Sequence, residues 1–214
     1  MYISIEGVIG VGKTTLARLL QPAYQATLLL EVFEENPFLS SFYADRARYA
    51  FQTQIFFLLS RYHQQRRTVS EVVSRGQNLI ADYTFEKDAL FARINLAGDE
   101  LDMYYRVHEA LAEKIIHPDL IVYQRADTSV LLQRIAMRDR TYERQMEQDY
   151  IAQLNKEYDS FFVRYQAVPT LTIDTNHLDY VHDPDHLKQV VNRINQSLKL
   201  APFQPELPIQ IQDN

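Results

Sequence analysis

Cysteine is absent from this 214-residue sequence, and glycine occurs only five times. With no thiol, neither a disulfide framework nor a thiolate metal site is available. Long hydrophobic runs are missing too. Ile55-Phe56-Phe57-Leu58-Leu59 is the densest, far short of the roughly 20 residues a membrane-spanning helix needs. Positive charge is in deficit, with 22 Lys and Arg against 28 Asp and Glu. The net charge of −6 speaks against broad nucleic-acid binding, which draws on a basic excess. Of those cations sixteen are Arg, the better residue for a planar, two-pronged grip on phosphate. Neither an internal repeat nor a domain linker divides the chain, so one domain over residues 1–214 is expected. A strand starting at residue 2 leaves no room for a targeting segment, so the expected location is the cytoplasm, with no membrane partner. His177, His182 and His186 fall in a loop and a helix start, the setting of ordinary surface histidines rather than metal ligands.

What is present is concentrated. Three of the five glycines lie within residues 7–15, Gly-Val-Ile-Gly-Val-Gly-Lys-Thr-Thr. Gly7 and Gly12 bracket four residues and Lys13-Thr14 follow, the phosphate-binding pattern G-x-x-x-x-G-K-[ST]. Backbone N–H groups of such a loop, here Gly7, Val8, Ile9, Gly10, Val11, Gly12, Lys13, Thr14 and Thr15, form a concavity for an anion. The following helix adds its positive end. Lys13 is then expected to reach the β- and γ-phosphates of a nucleotide, and the Thr14 hydroxyl to ligate Mg²⁺. The context agrees. Tyr2-Ile3-Ser4-Ile5-Glu6 alternates as a strand, and Thr15 to Leu20 start a helix with an apolar face.

Further along, Ala26 to Leu30 form an apolar run of strand length that ends in Glu31, which parallel-sheet logic places near the phosphate loop. Phe38 to Ala44 predict a short helix carrying Tyr43. Residues 46–74, without Gly or Pro, predict one long helix with Gln54 and Arg61 two turns apart on one face. Two such polar residues also fit a solvated stripe. Leu79-Ile80-Ala81 is a third buried strand, closed by Asp82 on the side where a Mg²⁺ partner of a phosphate loop sits. Helices are expected over 86–95 and 99–116, a fourth strand over Leu120 to Tyr123, and a helix capped by Asp127-Thr128. That helix leads into a cluster of Arg134, Arg138, Arg140 and Arg144. A charged solvated face is one reading, and a lid over residues 134–147 that closes cations on a transferring phosphate is the favoured one. A helix over 145–166, a fifth strand over 169–174 and a last helix over 184–199 precede a proline-containing tail, 201–214. Strand–helix alternation implies a parallel sheet with helices on both faces.

Together these landmarks resemble the deoxynucleoside kinase family, in its bacterial deoxyadenosine/deoxyguanosine kinase branch. The likeness runs from residue 2 to about 175. The ordered set carries it: Glu31, Asn36-Pro37-Phe38-Leu39, Phe42-Tyr43, Gln54, Leu59-Ser60-Arg61, Asp82 through Asp88 to Phe91-Ala92, then Arg134-x-x-x-Arg138-x-Arg140 with Glu143. The resemblance implies a P-loop kinase three-layer sandwich, a five-stranded parallel sheet with helices on both faces and an Arg-rich lid. It implies ATP-dependent phosphorylation of the 5′-hydroxyl of a deoxynucleoside, with Mg²⁺ held by Thr14 and Asp82, in a homodimer. Glu31 would be the base facing the hydroxyl, and Lys13, Arg138 and Arg140 would serve catalysis. Arg134 and Arg138 would contact ATP. Tyr43 and Glu143 would hold the sugar 3′-hydroxyl, Gln54 the base edge, and Arg61 and Asp88 its exocyclic group, with Phe91 stacking nearby. Deoxyadenosine is the expected substrate, with deoxyguanosine and deoxycytidine behind it.

One departure stands out: the family usually carries Asp-Arg or Glu-Arg where this chain has Asp82-Tyr83. A lid arginine is expected to supply the missing cation. Two other readings compete. A thymidylate-kinase-like enzyme needs Arg near Glu31 and Asp82, which residues 31–40 and Tyr83 do not provide. A non-catalytic nucleotide-binding module is disfavoured by retention of Lys13, Glu31, Asp82 and the lid arginines.

Overall fold

The computed structural model describes residues 1–200; the tail expected over 201–214 lies outside them. Its centre is a five-stranded sheet: β1 (Tyr2–Glu6), β2 (Thr27–Leu29), β3 (Leu79–Ala81), β4 (Leu120–Arg125) and β5 (Thr170–Asp174). The strands run in the order β2-β3-β1-β4-β5, and every pairing is parallel. β1 is central, with Ile3 opposite Ile80 on one side and Leu120 on the other. All five of its residues are buried, as expected of a strand covered on both faces.

Eight α-helices are present among the described residues: α1 (Lys13–Tyr24), α2 (Leu39–Ala44), α3 (Arg46–Ser74), α4 (Lys87–Asn95), α5 (Gly98–Ala112), α6 (Thr128–Arg138), α7 (Gln148–Arg164) and α8 (Pro184–Ser197). Leu16, Ala17 and Leu20 of α1 and Val190 and Ile194 of α8 bury one face of the sheet against Ile3, Ile5 and Ile173. Leu58 of α3, Ala92 of α4, and Leu154 and Tyr158 of α7 join Ile121 and Tyr123 in the larger cluster. Each fully buried Leu or Ile in these layers contributes about 1.5–3 kcal/mol.

Three boundaries differ from expectation for local reasons. Gly12, at φ 104°, caps α1, so the helix starts at Lys13. α5 stops at Ala112, ahead of the turn bonds Lys114 N–H to Leu111 O and Ile115 N–H to Ala112 O. Pro118 then disfavours a helical His117. Residues Thr141–Gln145 form a 3₁₀ turn, which delays α7 to Gln148. Asp127 occupies the N-cap position of α6, but its side chain makes no capping bond.

Candidate active site

The loop between β1 and α1 is shaped by two glycines. A Cβ on Gly7, at φ 151°, would lie 2.3 Å from the carbonyl oxygen of Gln124, and one on Gly12 would meet the Tyr180 hydroxyl at 2.9 Å. Gly7 N–H is taken by Glu6 Oε1 at 2.9 Å, and Val11 N–H by Val8 O at 3.2 Å. Gly7 therefore serves the turn rather than donating to an anion. The N–H groups of the first turn of α1 lack helical acceptors and remain to donate. Lys13 Nζ donates to Gly7 O at 2.7 Å and Val8 O at 3.3 Å, folded back over its own loop.

Because the strands are parallel, Glu31 and Asp82 emerge at the same sheet edge as this loop, just beyond β2 and β3. Asp82 Oδ2 accepts from the Thr14 hydroxyl at 2.5 Å, and Oδ1 accepts from Glu31 N–H at 2.8 Å. Lys13, Thr14, Glu31 and Asp82 line one cavity of about 440 Å³. Ile9, Gly10, Gly12 and Thr15 belong to the same wall. The cavity is also lined by Tyr43 of α2, Gln54 and Arg61 of α3, Phe91 of α4, and Arg138, Arg140 and Glu143 around the end of α6. The polar stripe of α3 is therefore not solvated: Gln54 and Arg61 are 3% and 5% exposed.

The site's charges are interlocked. Glu31 Oε1 accepts from Arg61 Nε at 2.9 Å and from Arg61 Nη2. Its other oxygen, Oε2, accepts from Lys87 Nζ at 2.7 Å. Burial pushes the Glu31 carboxyl up, but the charges of Arg61 and Lys87 and their hydrogen bonds outweigh it and hold it well below the usual carboxylate range. Burial and the neighbouring Lys87 charge lower the Lys13 ammonium to about 8, against the pull of Glu6, Glu31 and Asp82. Asp82 is raised by burial, with the Thr14 and Glu31 hydrogen bonds opposing.

Five expected site residues lie outside the cavity lining: Gly7, Val8 and Val11 of the loop, together with Asp88 and Arg134. Asp88 is fully buried and pairs with Arg61 Nη1, while its Oδ2 has no hydrogen-bond partner among the described residues. Asp88 is expected to touch the nucleoside base; in the structure it touches Arg61 and does not line the cavity. Arg134 donates to Val11 O at 3.3 Å, Thr175 Oγ1 at 3.0 Å and Thr175 O at 2.6 Å, which staples α6 to the phosphate loop and to the end of β5. Arg138 grips Glu143 with two nitrogens, Nε at 2.8 Å from Oε2 and Nη2 on Oε1. Arg140 lies 3.9 Å from Glu143 and 4.2 Å above the Phe33 ring.

The residue after Asp82 resolves differently from expectation. Strand alternation sends Tyr83 to the opposite side from Asp82, into a cluster with Tyr2, Leu29, Val69 and Val72. There its hydroxyl donates to Gln64 Oε1 at 2.8 Å. Among the described residues, the cation that contacts Glu31 alongside Arg61 is Lys87, from the first turn of α4.

Sequence reasoning also missed Glu6. Fully buried, it accepts from Gly7 N–H, from Thr84 N–H at 2.9 Å, from Thr84 Oγ1 at 3.0 Å and from the Tyr158 hydroxyl at 3.2 Å. Its place directly before the phosphate loop was the available signal. Thr53, Tyr150 and Tyr158 also line the cavity.

A phosphate loop, two acids at strand ends and an arginine–glutamine wall around one cavity restrict the fold's relatives sharply. The deoxynucleoside kinase family model matches residues 3–199. The chain belongs to the deoxynucleoside kinase family. It is 32% identical to the deoxyguanosine kinase of Bacillus subtilis over 199 residues, 91% of this chain and 96% of that protein. It is 28% identical to the deoxyadenosine/deoxycytidine kinase of the same organism over 200 residues, 90% of each chain. The solved structure of deoxyadenosine kinase from M. mycoides with dCMP and dCDP bound superposes with a TM-score of 0.80. That match has 25% identity and covers 92% of this chain and 99% of that one. The family places this protein among phosphotransferases, and its members span more than one base. No helix among the described residues is long and apolar enough to cross a membrane.

Proposed function

We propose that the protein transfers the γ-phosphoryl group of ATP to the 5′-hydroxyl of a deoxynucleoside, deoxyadenosine foremost, giving the 5′-monophosphate. The observation that carries this reading is the position of Glu31: a carboxylate opening on the same cavity as Lys13, with Gln54 and Arg61 also in its lining. Phosphoryl transfer needs alignment and charge neutralisation more than covalent help. The 5′-oxygen attacks phosphorus, the bond to the β–γ bridging oxygen breaks, and the hydroxyl proton passes to Glu31. A carboxylate with a depressed pKa accepts that proton late, when the hydroxyl has become strongly acidic.

The loop N–H groups and Lys13 would hold the donor's phosphates. Thr14 and Asp82 present two hard oxygens in direct contact, a donor set that fits Mg²⁺, which takes one or two protein oxygens and completes its shell with phosphate and water. Bound there, the ion would neutralise phosphate charge. Arg138 and Arg140 would close on the transferring group as part of a lid over 134–147, with Arg134 anchoring that lid to the phosphate loop. Tyr43 and Glu143 would take the sugar 3′-hydroxyl, and Phe91 the flat face of the base.

Base choice follows from donors and acceptors. Adenine and cytosine pair an acceptor with an amino donor on the edge that a Gln54 amide matches. Arg61, backed by Asp88, offers donors that also suit guanine O6 or N7, which puts deoxyguanosine and deoxycytidine next and thymidine last. In keeping with the family resemblance, we read the chain as one domain acting as a cytoplasmic homodimer, with α3 among the contacting helices. The test is a panel of nucleosides and nucleoside monophosphates with ATP and Mg²⁺, scored by product mass. Nucleosides should yield monophosphates; turnover of monophosphates alone would overturn the assignment.

A further inference from the structure

Two of the chain's six lysines end in the cavity, and only Lys13 has a role in the chemistry described so far. Lys87 opens α4, five residues beyond Asp82, and is 5% exposed. Its Nζ donates to Glu31 Oε2 at 2.7 Å and lies 5.8 Å from the centre of the Phe91 ring. Arg61 grips the other oxygen of Glu31 but shares its charge with Asp88, so Lys87 completes the balance, and its bond to Glu31 uses one of the three donors of the ammonium. Lys87 also repels the Lys13 ammonium, which shares the cavity. Cations converging in a partly desolvated cavity raise one another's energy until a polyanion enters between them. Groups held in this way, ahead of the reaction, stabilise charge that develops on a transferring group.

We infer, on the deoxynucleoside kinase reading above, that Lys87 is a catalytic residue that donates to an oxygen of the transferring phosphoryl group from the acceptor side, while Lys13 holds the donor's phosphates from the loop side. Its place beside Glu31 puts the ammonium where the 5′-oxygen and the phosphoryl group meet. The ammonium keeps its three protons throughout. The O5′–P bond forms, the bond from phosphorus to the β–γ bridging oxygen breaks, and the hydroxyl proton goes to Glu31. A residue that merely steadied Glu31 would occupy the same place, so the experiment must separate the two roles.

The experiment compares Lys87→Met and Lys87→Arg in the native and Glu31→Gln backgrounds, with deoxyadenosine, ATP and Mg²⁺. Lys87→Met should lower kcat by about 10²–10³-fold, the scale for loss of one such donor, with little change in nucleoside KM. Lys87→Arg should recover most of the loss. In the Glu31→Gln background, where the carboxylate is already neutral, Lys87→Met should still lower kcat by roughly tenfold or more. That double variant leaves no orphaned carboxylate, so it reads out the role even where Lys87→Met alone fails to fold. An unchanged kcat in that background, or a change confined to KM, would overturn the inference. Calorimetry with inorganic tripolyphosphate needs no turnover: Lys87→Met should weaken binding at least about fivefold, and equal affinities would overturn the inference too. Failure of the native protein to phosphorylate any nucleoside would instead count against the proposed function, leaving the tripolyphosphate comparison to judge Lys87.

Discussion

Replacing Glu6 by glutamine changes one atom's chemistry and should loosen three parts of the site at once. The carboxylate accepts four hydrogen bonds, two of them from backbone N–H groups that cannot rotate, Gly7 and Thr84. An amide must turn its NH₂ toward one of them. Facing Thr84, it leaves that N–H without an acceptor even if the Thr84 hydroxyl turns to accept. Facing Gly7 and Tyr158, it does the same to Gly7, whatever the Tyr158 hydroxyl does. A buried donor left unpaired costs about 1–3 kcal/mol, and bonds to a charged acceptor are worth about 1.5–3 each. The expected loss is therefore about 2–4 kcal/mol, roughly 5–15 °C in Tm for a chain of this length. Because Gly7 opens the phosphate loop and Tyr158 lines the cavity, the KM for ATP should rise with it. Differential scanning calorimetry and initial rates check both effects. A Tm within about 1 °C of the native protein would refute the reasoning, because the carboxylate would then not be holding these donors.

Other outcomes follow from the same charges. Glu31→Gln should lower kcat about 10²-fold or more while the protein stays folded, the usual scale for a positioned base; a kcat near native would remove Glu31 from that role. Arg138→Ala and Arg140→Ala should reduce kcat far more than they raise nucleoside KM, as expected of groups acting on transition-state charge. A rise in KM alone would assign them to the acceptor pocket. Away from the site, His117 Nδ1 lies 3.1 Å from Glu86 Oε1. The bond to Glu86 raises the His117 pKa; burial pushes Glu86 up, but the His117 hydrogen bond and others outweigh it and lower Glu86. The Glu86 contribution is present above its unfolded value near ~4.3 and is lost as pH falls through its lowered folded value. That of His117 is complete below ~6.5 and lost as pH rises through its raised value. The Tm difference between native protein and His117→Gln should peak between those limits and shrink above neutrality, and a pH-independent difference would contradict the pairing.

What the sequence made legible was local. The phosphate loop is a contiguous pattern whose glycines, lysine and threonine each have one geometric job, and the apolar runs ending in Glu31 and Asp82 mark strand ends facing it. The rest depended on direction. Gln54 and Arg61 share a helix face whether or not that face meets water, and the packing of α2, α4 and α5 around α3 decides it. Tyr83 looked like a lost cation because its neighbour Asp82 faces the site, yet the period of two along a strand sends it into the core. Lys87 gave no pattern, since its meaning comes from a carboxylate 56 positions earlier. Asp88 reads as a direct contact, and in the structure it is buried against Arg61.

The most direct measurement of the central claim is the ratio of kcat/KM for deoxyadenosine over thymidine on the unmutated protein, with ATP and Mg²⁺. Thymine presents the reversed edge pattern to Gln54 and a methyl group toward Arg61. One polar group left unpaired costs about 1–3 kcal/mol, so deoxyadenosine should win by one to two orders of magnitude. Thymidine equal to or ahead of deoxyadenosine would mean that Gln54 and Arg61 do not read the base.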